Sequence, residues 1–470
     1  MDNSIKKNYL YSVMYQFLVM ILPMITIPYV SRIFGAENIG VYSYTNTIAQ
    51  YYVIFAMLGL NNYGNREIAA IRDNKEKLNN VFSEIYTMQI FTGLISLLAY
   101  IIYAVFISQE YRIYSLILSL YVLSAIFDVN WLFFGLEKFR LTVTRNSIIK
   151  IFSVIAIFLL VDSIEDLWIY TGIYAVSNLI STIILWPYVK KEVIYKTPRF
   201  SNVCKHIGPN MWMFMPVMAI SIYKYMDKIM LGYCSKTEVG YYENVEKLIS
   251  VALGFIVAFG NVMLPRISNM VANCEVKQIK KSLIVSMRFV LGLSFAVTFG
   301  LAAISPEFIG VYFGQGFEPC ILIMTFLAPT MIFQSWATVI RTQYLIPFKH
   351  DKIYVSSVVV CAVINFVINC LLIPRLGALG AVIGTIVAEA GVAIIQTIAV
   401  RKDVDCLVYM KQGMPFFFFG IFMYSIIRML SSISNRVELN IAVEILVGSV
   451  VYLMLWFIYE RKAKQWLYKF

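Results

Sequence analysis

The sequence predicts an all-α integral membrane protein of about fourteen transmembrane helices, and three observations lead there. The 470 residues are 60% hydrophobic and only 14% charged, with a mean hydropathy of +0.73, where soluble chains carry about 25% charged residues. Apolar stretches of around 20 residues recur from end to end, and each is long enough as a helix to cross a hydrocarbon core of about 30 Å. Lysine and arginine gather in every second inter-span segment, which is the mark of cytoplasmic loops.

In chain order, the first six expected spans are Tyr9 to Val30, Ile39 to Leu60, Ser83 to Phe106, Ile113 to Phe134, Asn146 to Val161 and Leu167 to Tyr188. A charged stretch from Lys190 to His206 follows. The next six are Ile207 to Leu231, Val239 to Val262, Leu283 to Ile304, Ile321 to Val339, Tyr354 to Ile373 and Ala378 to Val400. Met414 to Leu430 and Ile441 to Tyr459 complete the set. The first stretch is long and lacks a small-residue cleavage site, so it is expected to persist as a span rather than be removed as a signal peptide.

With a cytoplasmic N-terminus, the inside segments hold 29 Lys and Arg, among them Lys6, Lys7, Arg145, Lys150, Lys462, Lys464 and Lys469. The outside segments hold five: Arg32, Arg112, Lys236, Arg375 and Arg436. Such alternation requires an even number of spans and places both termini in the cytoplasm. The net charge of +12 is therefore a record of topology. Basic loops suit anionic lipid headgroups, so membrane lipids are expected partners and nucleic acid is not. The seven cysteines show no paired spacing, and no zinc or disulfide framework is expected. Cys234 and Cys320 both fall outside, where they could meet. The two histidines, His206 and His350, fall in cytoplasmic loops.

An internal echo divides the chain. SRIFGAENIGVYSYTN, between the first two spans, is answered by DKIMLGYCSKTEVGYYEN between the seventh and eighth, with Gly40 and Tyr42 matching Gly240 and Tyr242 at a separation of 200 residues. Six spans lie between the copies, so both run the same way through the membrane, as in a parallel repeat. The expected domains are 1-206 (spans 1 to 6), 207-411 (spans 7 to 12) and 412-470 (two further spans and a tail). Each copy opens with a proline-bearing helix, Pro23 and Pro28 or Pro209 and Pro216, where a bend is expected. Parallel halves are a transporter architecture, with substrate between them. There is no GxxxxGK[ST], HExxH or GxSxG motif and no large loop to carry catalysis. The chain is expected not to be an enzyme and to hold no metal or cofactor.

Charges inside spans are costly, about 2.5 to 3.5 kcal/mol each at mid-helix on insertion scales. Lys224, Asp227 and Lys228 have the spacing of one helical face. If that face meets a cavity, one lysine pairs with Asp227 and the other can bind an anion such as phosphate. The alternative is that the lysines snorkel to the interface, although the short Asp227 cannot. Glu243, Glu246 and Lys247 lie at the outer end of span eight, and Arg32 and Glu37 lie between the first two spans. Asn46 and Gln50, one turn apart in span two among tyrosines, suit the hydroxyls and apolar faces of sugars, or serve as glue between helices. Asp128 and Glu389 are further intramembrane carboxylates, candidates for proton or sodium coupling or for structural hydrogen bonds. Arg288 and Arg428 lie near helix ends and are expected to snorkel.

PYVSRIFGAENIGVYSY, LNNYGNREIA, DVNWLFFGLEKF, MDKIMLG with EVGYYENVEKL, and LIPRLGALGAVIGTIVAE, in this order, resemble the Wzx-type polysaccharide flippases. These are O-antigen and capsule repeat-unit exporters in the superfamily that also holds MATE exporters and lipid II flippases. The resemblance implies two six-helix lobes in a V, with the first, second, seventh and eighth helices lining a cationic cavity. It implies undecaprenyl-diphosphate-linked oligosaccharide as substrate, moved from the cytoplasmic to the outer leaflet of a bacterial cytoplasmic membrane, with proton or sodium coupling. By this likeness Arg32, Lys224 and Lys228 contact diphosphate or acidic sugar, with Asp227 orienting them. Association with polysaccharide polymerase machinery is also expected. Glu37, Glu243 and Glu246 depart from the cationic pattern by offsetting the local charge. Competing readings are a MATE-like cation-coupled exporter, a membrane-embedded polymerase or ligase, and a scramblase or channel.

Overall fold

The structure is a computed structural model and describes residues 3–431 and 436–467. Lys469 lies outside the described residues, and of Lys6, Lys7, Lys462 and Lys464 only the backbone is described. All the regular structure among these residues is helical. In order the helices are α1 (Asn3–Met57), α2 (Leu60–Ile71), α3 (Lys75–Ile102), α4 (Arg112–Phe127), α5 (Asn130–Gly135), α6 (Phe139–Leu160), α7 (Leu167–Ile183), α8 (Trp186–Glu192), α9 (Phe200–Lys205) and α10 (Ile207–Cys234). They continue as α11 (Lys236–Ala272), α12 (Val276–Phe313), α13 (Pro319–Leu327), α14 (Thr330–Ile340), α15 (Asp351–Leu376), α16 (Ala378–Val400), α17 (Cys406–Leu430) and α18 (Val437–Leu467).

By length and composition twelve of the helical stretches can cross a membrane, against about fourteen expected. Two differences account for this. The stretch Leu18–Ile71, at 54 residues, runs through both of the first two expected spans and the short helix after them. The seventh expected span, α10, forms a helix of 28 residues whose polar and charged residues keep it below the hydropathy of the others. At about 1.5 Å per residue, α1 is far longer than one crossing, and it is interrupted at Gly35, with φ 66° and ψ 177°. That region of backbone space is nearly exclusive to glycine. The interruption therefore falls at Gly35, between the first two expected spans.

The chain forms two compact units, one of residues 1–26 and 37–240, the other of residues 27–36 and 241–470. The core of the first contains two of the sequence motifs pressed together. Trp131, fully buried on α5, stacks on Phe82 at 5.7 Å and donates its indole N–H to Gln89 Oε1 at 3.0 Å. Gly64 on α2 supplies the space, since a Cβ there would come within 2.7 Å of the Trp131 ring. In the second unit α17 and α18 pack on α12, where Tyr452 donates to the Gly292 carbonyl at 2.7 Å. The outward faces carry Ile95, Leu98, Phe106, Leu159 and Met429, each more than 60% exposed, a surface suited to lipid rather than to water.

Arg288 and Arg428, expected to snorkel, are both held by carboxylates. Arg288, only 5% exposed, makes two contacts of 2.9 Å with the Glu460 carboxylate on α18. Arg428 binds both oxygens of Glu307 on α12, at 2.8 and 3.0 Å. Both pairs tie the last two helices to α12. We expect Arg288→Ala to lower stability by about 3 kcal/mol, the order of breaking a buried pair, read as a lower thermal transition in detergent. An unchanged transition would make the pair incidental.

All seven cysteines are free, Cys320 buried and Cys234 exposed, so the suggested bridge is not formed. His206, expected in a cytoplasmic loop, is buried; its ring nitrogens meet the Tyr63 hydroxyl at 2.6 Å and the Glu84 carboxylate at 3.0 Å. This clamps the segment before α10 onto α2 and α3.

Candidate functional site

The charged triplet lies on α10 and is divided by its surroundings. Asp227 and Lys228 are buried, at 4% and 8% exposure, whereas Lys224 one turn earlier is exposed and lies 5.3 Å from the ring centre of its neighbour Tyr225. A snorkelling Lys228 would reach into the surroundings, and this one does not. The second half of α1 packs on the same stretch of helix. Tyr51 donates its hydroxyl to the Ser221 carbonyl at 3.2 Å and lies close enough to Asp227 to interact electrostatically with it.

At the end of α10 the echo glycines meet. A Cβ on Gly40 would overlap the Lys236 carbonyl and stand 3.1 Å from the Gly240 nitrogen, so the α1 backbone rests directly on the start of α11. Lys236 closes this junction. Its ammonium donates to the Gly232 carbonyl and sits 3.4 Å from the Tyr44 ring centre, a cation–π geometry. Gly232 in turn seats the Tyr44 ring, which would clash with any Cβ there.

The other site candidates are dispersed. Asn46 lies beside Tyr174, and Gln50 donates to the Tyr174 hydroxyl at 3.4 Å, so both join α1 to α7. Arg32, in the second unit, donates to the Val311 carbonyl at 2.5 Å at the end of α12 and lines a groove with Tyr312 and Glu438. Lys247 pairs with Glu243 one turn before it at 2.9 Å. Glu389 is buried on α16, near Cys361 of α15, in a seam where Gln396 donates to Ser357 at 3.0 Å and Asn369 to Asn365 at 3.1 Å.

Asp128 sits where α4 ends, and its carboxylate accepts the Asn130 backbone N–H at 3.0 Å, opening α5. It also lines a cavity of about 530 Å³ inside the first unit, together with Asn130, Arg145, Asn146, Lys150 and Tyr174. The sequence assigned Arg145 to a cytoplasmic segment because span five was begun at Asn146, and counted Lys150, four residues into that span, with the same segment. The apolar stretch instead begins at Arg140, and both residues lie within it. Removing two from 29 leaves the sign of the charge asymmetry unchanged. One intramembrane carboxylate was passed over. Glu444 on α18 is fully buried beside Glu307 and Arg428, and neither of its oxygens has a hydrogen-bond partner. Its signal was a lone glutamate inside the last apolar stretch. Among the described residues no cluster suited to a metal ion occurs.

The family described as "Polysaccharide biosynthesis protein" matches residues 5–271, more than half of the chain. The chain belongs to this family. The likeness carried by the five sequence motifs is thereby borne out. A relative in Escherichia coli (strain K12), named "Putative O-antigen transporter", is 24% identical over 410 residues, covering 85% of this chain and 97% of the relative. A Haloferax volcanii protein named "Probable low-salt glycan biosynthesis flippase Agl15" is 24% identical over 46% of each chain. Among solved structures, "Lipid II flippase MurJ, inward closed conformation" superposes with a TM-score of 0.80 at 17% identity, covering 97% of this chain and 99% of its own. An inward-facing MATE family multidrug transporter of the MOP superfamily gives 0.57 at 14% identity, with 83% and 98% covered. The likeness gives this chain the fold of those structures, and its many helices long and apolar enough to cross a membrane make it a multi-pass membrane protein. The names of the relatives are those of transporters and flippases rather than of catalysts.

Proposed function

We propose that the protein is a flippase that moves undecaprenyl-diphosphate-linked oligosaccharide repeat units from the cytoplasmic to the outer leaflet of a bacterial cytoplasmic membrane, for surface polysaccharide synthesis. The observation that carries this reading is the family membership, extended along nearly the whole length of relatives named as O-antigen transporters. Alternating access between parallel halves supplies the movement, with both termini cytoplasmic and a proton or sodium gradient as the driving force. In this reading Lys224, Lys228, Lys247 and Arg32 receive the diphosphate and Asp227 orients them. Asn46 and Gln50 contact sugar, and Asp128 and Glu389 serve the coupling ion. A polymerase that extends the delivered units is the natural neighbour.

Deleting the gene is expected to make lipid-linked repeat units accumulate out of reach of a membrane-impermeant glycosidase applied to spheroplasts, and to abolish surface polymer. Normal outer-leaflet delivery in that strain would refute the proposal. Altered resistance to organic cations with an intact glycan would assign a MATE-like exporter instead.

A further inference from the structure

Glu444 on α18 is fully buried, and neither of its carboxyl oxygens has a hydrogen-bond partner. Its direction follows from the residues spaced four apart along the same helix. Asn440 donates to the Ser431 carbonyl at 3.3 Å, a Cβ on Gly448 would come within 2.7 Å of Ile427 on α17, and Tyr452 donates to the Gly292 carbonyl on α12. Residues at this spacing share a helical face, so 440, 444, 448 and 452 form the stripe that seats α18 against α12 and α17. Glu444 is directed into that seat, where no snorkelling relieves it.

Two charged groups act on it, Glu307 from α12 and Arg428 from α17, and these are already matched to each other. Arg428 Nη1 donates to both Glu307 oxygens, at 3.0 and 2.8 Å, and to the Ala303 carbonyl one turn earlier on α12, at 3.0 Å. Glu438, nearer the start of α18, lines the groove of Arg32 and Tyr312, and Glu444 is not among the residues of that groove. An ionised Glu444 would be a second negative charge removed from water, beside a carboxylate whose arginine is engaged, with no donor on either oxygen. Burying charge in that state is costly, and a carboxyl group avoids the cost by keeping a proton. A neutral Glu444 leaves the three groups as one closed ion pair without net charge.

We propose that Glu444 is a proton-binding site: it is a carboxylic acid while α18 is seated on α12 and α17, and it gives its proton to water when that seat opens. Glu307, Arg428 and Glu444 stand within about two turns of the end of α12 at Phe313, the end of α17 at Leu430 and the start of α18 at Val437, about 11 Å or less along each axis. The site therefore lies near one face of the membrane, and a local opening of the helix ends is enough to exchange the proton. The inference concerns α12, α17 and α18 alone and holds whichever cargo the protein carries.

The test is infrared spectroscopy of the full chain in nanodiscs, comparing wild type with Glu444→Gln at neutral pH, together with thermal unfolding of both across a rising pH series. The wild type is expected to show the carbonyl stretch of a buried carboxylic acid that Glu444→Gln loses. A proton held by the folded state and released by the unfolded one makes stability fall as pH rises, so the wild-type transition should drop with pH more steeply than that of Glu444→Gln, which has no proton to give. Glu444→Met, uncharged and of similar length, decides if the glutamine variant fails to fold. An unchanged carboxylic acid band in a folded variant, parallel pH profiles of variant and wild type, or a sodium-dependent rise of the transition at fixed pH that the variant abolishes would each overturn the proposal. The last result would assign the site to a metal cation. Both readouts use isolated protein without cargo, so their failure is separate from failure of the leaflet assay that tests the flippase reading.

Discussion

Lys228→Ala is expected to reduce export of the lipid-linked glycan by at least about tenfold on its own, the scale of one charge-assisted contact to an anionic substrate. Lys224→Ala should cost less. The contrast comes from burial: Lys228 is 8% exposed next to a 4% exposed Asp227, while Lys224 stands in the open. A long, exposed side chain is replaceable by its neighbours or by water, whereas a buried ammonium is held at one place. Alanine at both positions is expected to abolish export. Surface polymer measured against membrane abundance by immunoblot reads the outcome, with Lys228→Arg as the charge-preserving control. Wild-type export by a normally inserted Lys228→Ala protein would remove the residue from the transport path.

Gly40→Ala should be strongly damaging for a single added methyl group. Its Cβ would overlap the Lys236 carbonyl, and backbone yields far less readily than the tip of a side chain. Overpacking of this kind costs about 1–3 kcal/mol and sometimes more. It would also part Lys236 from Tyr44, whose ring centre lies 3.4 Å from the ammonium. A lower thermal transition of the purified protein and reduced membrane abundance are the expected signs. A Gly40→Ala protein with unchanged melting would show that α1 and α11 can separate at no cost. Gly35→Ala makes a useful comparison, since a Cβ there meets nothing within 4 Å and any loss would come from its backbone angle alone.

The echo was legible as a spacing of two glycines 200 residues apart, but its purpose was not. That the two glycines support direct backbone contact appears only when α1 and α11 are laid together. Similarly, LNNYGNREIA and DVNWLFFGLEKF were legible as motifs, while the packing of Gly64 against Trp131 belongs to the fold. The candidate site was legible in part. The charges of α10 stood out because polar residues are conspicuous in an apolar stretch. Arg145 escaped because one span was begun six residues too late, and Glu444 because a single glutamate in a long apolar run leaves no pattern.

The sequence by itself determined that the chain is helical, that it crosses the membrane many times, that a short motif recurs 200 residues on, and that it carries its family's motifs. Hydrophobic length, Lys and Arg asymmetry and motif order are properties of the chain read along its length, and need no neighbour to be defined. Only the tertiary structure decided that Lys228 is covered and Lys224 is not, that Arg288 and Arg428 reach across to Glu460 and Glu307, and that Arg145 turns into a cavity. Helical periodicity tells which residues share a face, but the neighbouring helix that covers each arc of that face determines whether a charge there is paired, buried or left to receive a ligand.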